Sequence, residues 1–131
     1  MTRAEGQALV EFALVLPLLL VLTFAVVFVA QIGVARLALE HAAAEGARAG
    51  ALTNLDSEIN GAIEAAVSPL DPAQVRITIE PKQGATPRDH DPRGSLLRVR
   101  VDHTVPAPLA FLGLPGVAVT ARAARVIEWT P

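Results

Sequence analysis

Hydrophobic and polar positions follow three different patterns along this chain. From Phe12 to Ala35 the sequence is apolar on every side, interrupted by Pro17, Thr23, Gln31 and Gly33, and no charge lies between Glu11 and Arg36. As a helix this run is about 36 Å long, enough to cross a hydrocarbon core of ~30 Å with some tilt. A helix that is apolar all round is not an amphipathic surface helix, so the run predicts a membrane span. Pro17 frees one backbone carbonyl and can kink it. A cleaved secretory signal would have a shorter apolar core followed by a small-residue cleavage site. From Arg36 to Ala51 the composition shifts to Ala, Leu, Glu and Arg without Pro. These are strong helix formers, and the spacing predicts one continuous helix from about Ala8 to about Ala51, roughly 65 Å long. Arg36 and Glu40, His41 and Glu45, and Glu45 and Arg48 stand at ion-pairing distances along it. Gly46 and Gly50, with Ala42, Ala43, Ala44 and Ala47, leave a low-profile surface. It either lets another backbone approach closely or reflects the general use of Ala in helices.

Beyond Thr53 the pattern shortens. Asn54 or Asp56 can cap a second helix that runs to about Val67, with Ile59, Ala62, Ile63, Ala66 and Val67 at helical spacing. Three segments then alternate as half-buried strands: Val75 to Glu80, Leu97 to Val105, and Val117 to about Ile127. A change of alternation at Arg125, Val126 and Ile127 suggests a bulge in the third. Pro81 to Gly94 reads as a polar loop, and Pro106 to Gly116 as an apolar turn. The fold class expected is α+β: a long N-terminal transmembrane helix extending into a small distal domain with one short helix and a three-stranded antiparallel sheet. The division expected is a leader at 1–6, a long helix at 7–51 with its membrane span at about 12–35, and a small extracytoplasmic domain at 52–131.

Composition sharpens this picture. Of the 131 residues 52% are hydrophobic, but the apolar run supplies a disproportionate share, so the figure does not signal a large core. The absence of Cys excludes disulfides and thiol chemistry. Eleven basic against thirteen acidic residues argue against a nucleic-acid surface.

The residues ahead of the span carry the most specific signal. A short polar leader ends in Gly6; Gln7 follows, and four positions after Gln7 come Glu11 and Phe12, where the apolar run begins. Gly6 has no side chain to hinder a protease at the backbone. Glu11 is a carboxylate at the edge of a membrane run, where an unpaired charge is costly. On its own this is also compatible with an uncut anchor whose Gly6 and Glu11 are ordinary interfacial residues. The opening GQALVEFALVLPLLL resembles the prepilin pattern of tight-adherence (Flp, type IVc) pili. With the continuation AAAEGARAGA and the closing VAVTARAARVIE, the layout resembles the TadE-like family of minor pseudopilins. The resemblance implies cleavage between Gly6 and Gln7 by a prepilin peptidase. It implies a subunit-register role for Glu11 opposite a new α-amine at Gln7. It also implies a bacterial inner-membrane protein with its N-terminus in the cytoplasm and its C-terminal part outside. The implied partners are the peptidase, other minor and major pilins, the pilus assembly machinery and the membrane.

Other candidate chemistry is sparse. Asp89, His90 and Asp91 form the one local group of metal-ligand types, but adjacent side chains rarely converge on one ion, so a solvated loop is expected. His103 falls on the apolar face of its strand and reads as a satisfied core residue. Phe111, Leu112 and Leu114 can cover the core or form a docking patch; core cover is the simpler expectation. With no nucleophile elbow, phosphate-cradling loop or carboxylate pair, no catalytic residue, metal or cofactor is assigned.

Overall fold

The computed structural model describes residues 3–131. Met1 and Thr2, the first two positions of the expected leader, lie outside the described residues. Helix α1 runs Arg3–Thr53 without a break and carries Pro17 inside it. Its 51 residues make it about 76 Å long. It begins before the expected Ala8, because Arg3, Ala4 and Glu5 are helix-compatible and Gly6 alone does not stop it. The pair Arg36–Glu40 forms at 3.0 Å on its exposed surface. The spacings His41–Glu45 and Glu45–Arg48 are not closed into ion pairs among the described residues.

The two ends of α1 behave differently. From Phe12 to Val27 the helix is exposed, and Phe28 and Ile32 are partly buried against the core. From Ala35 onward one stripe is buried: Ala35, Ala38, Leu39, Ala42, Ala43, Gly46, Ala47, Gly50 and Ala51. These recur at intervals of three and four, which places them on a single face. The low-profile surface is therefore filled by the protein's own chain. A Cβ at Gly46 would come within 2.6 Å of Ile63, and one at Gly50 within 2.6 Å of Ile59 and still closer to Leu97.

Helix α2 (Asp56–Ala66) packs Ile59 and Ile63 into this stripe. The sheet has the order β1 (Arg76–Glu80), β2 (Leu96–Val105), β3 (Val117–Val126), with both pairs antiparallel. Its inner face supplies Ile79, Leu97, Val99, Val101, Val105, Val119 and Ala121, and Ile127 closes one end. A fully buried Ile or Leu contributes about 1.5–3 kcal/mol by leaving water, so this core rests on few large side chains and on close approach to an Ala/Gly helix. The α+β class read from the sequence is the class observed.

Two local expectations are corrected. The register of β2 and β3 is unbroken from Val105↔Val117 to Leu96↔Val126, so there is no bulge. Val126 belongs to the outer face and Ile127 returns to the inner parity. Nor does Asn54 or Asp56 cap α2. Leu55 occupies the cap position without a side-chain bond. Asn54 instead ends α1: it sits at φ 54° and its N–H donates to the Gly50 carbonyl at 2.9 Å, the left-handed C-terminal stop. Glu128 and Trp129 add backbone bonds of 2.8 and 3.1 Å to the Ala51 carbonyl, which fastens the end of the chain to the end of α1.

Candidate functional site

Gly6, Gln7, Glu11 and Phe12 all lie on the first turns of α1. Gly6 is half-buried within the helix, and outside the helix's own adjoining backbone nothing stands within 4 Å of a Cβ built on it. The Gln7 side-chain amide donates to a Glu11 carboxylate oxygen at 3.1 Å, one helical turn on. Both residues are exposed, and so is Phe12. The structure thus brings Gln7 and Glu11 together through side chains, on a helix that continues directly into the apolar run.

The apolar turn behaves otherwise than core cover. Phe111 is 82% exposed, Leu112 65% and Leu114 52%, and none belongs to the core. The core is closed without them by Leu39, Ile59, Ile63, Leu97 and Ile127 with the valines and alanines around them. The turn reaches back along α1: Ala107 to Leu109, with Leu114 and Pro115, line one apolar groove with Val21, Phe24, Ala25 and Phe28. Its shape is held by Leu109 at φ 62°, a short 3-10 turn at Ala110–Leu112, and Gly113 at φ 77°. Gly116 is required where the turn rejoins β3, since a Cβ there would stand 2.7 Å from the Val105 carbonyl oxygen.

The polar loop between β1 and β2 holds a residue that sequence reasoning passed over. Arg88 is buried. Its Nε donates to Asn54 Oδ1 at 2.8 Å and its Nη2 to the Asn54 carbonyl at 2.9 Å. Its Nη1 donates to Asp56 Oδ1 at 2.6 Å and to the Pro81 carbonyl at 2.7 Å. The Asn54 amide returns a bond to the Arg88 carbonyl at 3.2 Å. Gln83 and Asp56 exchange backbone-to-side-chain bonds of 2.9 and 3.0 Å, so Gln83 supplies the cap that α2 lacks. The neighbouring His90 and Asp91 are exposed, while the Asp89 carboxylate is mostly covered, accepting from the Thr86 hydroxyl at 3.2 Å and standing 3.4 Å from His90 Nε2. Among the described residues no three His, Asp or Glu are grouped to hold a metal ion. His103 is buried, with Nδ1 3.2 Å from the Gln74 carbonyl oxygen, as expected for a satisfied core histidine.

The outer sheet face is open and rich in arginine. Arg100 stands directly opposite Arg122, and Arg76 opposite Asp102. Burial pushes the Asp102 carboxyl up. The Thr120 hydroxyl at 2.5 Å and the Arg100 guanidinium, with the charge of Arg76, outweigh that and hold it below its ordinary value.

These features define a class: an α+β protein in which the one helix, among the described residues, long and apolar enough to cross a membrane is also the spine of the folded part. Residues 6–48 match the family model described as TadE-like protein, the same family that the opening residues resemble. The TadE-like family is a structural, pilus-associated family. The match covers Gly6, Gln7, Glu11, Phe12 and most of the Ala/Gly stripe, and it stops short of α2, the sheet and the turn. No curated protein and no solved structure matches the chain.

Proposed function

We propose that this protein is a minor pseudopilin-like structural subunit that supports assembly of tight-adherence pili. A prepilin peptidase removes the leader between Gly6 and Gln7, and the helix remains in the inner membrane with its N-terminus in the cytoplasm. The division into leader at 1–6, long helix at 7–51 and outer domain at 52–131 follows from that reading. The observation that carries it is the juxtaposition of Gly6, Gln7 and a Glu11–Phe12 pair at the mouth of a continuous, predominantly apolar helix, within the TadE-like match.

The chemistry is consistent with each role. Gly6 weakens the first turn by about 1 kcal/mol relative to Ala, so a protease can unwind it at small cost. After cleavage the Gln7 α-amine would stand near Glu11 on the same helix or face the Glu11 of a neighbouring subunit. Either pairing offsets the cost of a carboxylate at the membrane edge. The exposed apolar helix then packs against other pilins and the assembly machinery.

The second reading is an unprocessed anchor that holds a partner-binding module of the cell envelope or of a secretion system. The Gln7–Glu11 hydrogen bond favours it, because it stabilises the carboxylate with no new amine. A Glu11→Ala variant tests the proposed role in cells that make the pilus. The expected result is normal processing with pilus assembly strongly reduced. Assembly at the unsubstituted level would remove the register role from Glu11.

A further inference from the structure

We propose that the Pro106–Gly116 turn is a second membrane-contact element, seating Phe111, Leu112 and Leu114 among the lipid acyl chains of the leaflet beneath the sheet. The inference rests on α1 being a membrane span, and it goes beyond the pilus role.

The first argument is one of level. The turn lies against α1 between Val21 and Phe28, in the middle of the apolar run. If the turn stood in water, that stretch of helix would stand in water too. The apolar helix left below it would be Phe12 to Leu20, nine residues and about 13 Å, against a hydrocarbon core of ~30 Å. A span of about 20 residues from Phe12 ends near Gln31, so the turn falls at the level of its upper part, where α1 also packs against Pro69, Leu70, Val105 and Pro106.

The second argument is chemical. No charged residue occurs from Thr104 to Ala121; the nearest charges are Asp102 and Arg122, on the outer sheet face. All three large side chains are exposed; Leu114 lines the apolar groove with Val21 and Phe24 of α1, and Phe111 and Leu112 stand on the same turn beside it. An exposed apolar patch of this kind is costly in water and favourable in lipid. The backbone is adapted as well. Pro106, Pro108 and Pro115 have no N–H, and the N–H groups of Leu112 and Gly113 donate within the turn at 2.9 and 3.0 Å. This lowers the number of donors left without a partner away from water. The occupant is lipid rather than another helix because the patch shares its depth and apolar character with the lipid-facing span.

The chain has no Cys, so single cysteines can be introduced at Phe111→Cys in the turn, Leu20→Cys in the span and Asp91→Cys in the solvent loop. Each variant carries the fluorophore NBD and is reconstituted, full length, at one copy per nanodisc of phosphatidylcholine and phosphatidylglycerol. The expected result is that the labels at 111 and 20 emit to the blue, are quenched by doxyl-labelled lipid, and are reduced by aqueous dithionite about tenfold or more slowly than the label at 91. If 20 is protected and 111 reacts like 91, the proposal is overturned and the anchor stands. If 20 is also open to dithionite, the span itself fails and the proposal with it. If 111 becomes protected only with several copies per disc, and crosslinks between copies, the turn is a subunit contact and the proposal is overturned.

Discussion

Arg88 shows how one residue can organise a segment without a visible pattern in the sequence. Its guanidinium joins the end of α1, the start of α2 and the Pro81 end of the β1–β2 loop. A buried, multiply bonded cation cannot be removed cheaply, because Asp56 and the Asn54 carbonyl then lose their donor. Arg88→Met should destabilise the folded part by about 3 kcal/mol. Arg88→Lys should recover little of this, since an ammonium cannot replace a planar fork. Trp129 is the only tryptophan and is half-buried, so its fluorescence during urea unfolding of the full chain measures both variants. Asp102 gives a pH prediction at the same scale. Its carboxyl is held below the ordinary value, so its contribution is complete above the ordinary carboxylate range and is lost as pH falls through the lowered value. Unfolding followed below about pH 4 should show a loss of stability that Asp102→Asn makes shallower. Arg88 was not legible beforehand because a loop has no period and neighbouring charges mask one buried cation. His103 was legible because strand alternation alone puts it on the inner face.

At the scale of elements, the period of the sequence is informative wherever one face is buried. Alternation places all three strands to within a residue or so, since each strand has one apolar and one solvated face. The long helix was equally legible, and its N-terminal limit was not, because a polar leader and a helical first turn can share the same residues. The use of the Ala/Gly stripe could not be read from composition. Ala in a helix is compatible with a packed face or a solvated one, and only α2 and β2 lying on the stripe decide between them. That packing makes Gly50 intolerant of side chains: Gly50→Val should cost about 1–3 kcal/mol through overpacking against Ile59 and Leu97. Combining it with Ile59→Ala should give a non-additive result, which a double-mutant cycle by urea unfolding would detect. The turn was misread in the other direction. Its apolar residues suggest a core lid, but the core forms without them: Leu109 and Leu114 lie along α1, and Phe111 and Leu112 are exposed.

For the whole molecule, the 52% hydrophobic content belongs to two surfaces with different fates. One is the small interior between the Ala/Gly stripe, α2 and the sheet. The other is the exposed helix from Phe12 upward, which serves as anchor in the membrane and, in the proposed role, as a packing surface between subunits. The small folded part, which has no disulfide, is held on the same helix that carries the apolar run. The central claim is that the chain is processed at Gly6, and intact mass of the membrane-extracted protein tests it most directly. Extracted from cells that contain a prepilin peptidase, the protein should have lost Met1–Gly6 and begin at Gln7, while cells lacking the peptidase should retain the full chain. An intact N-terminus in both would contradict the account and leave an unprocessed anchor.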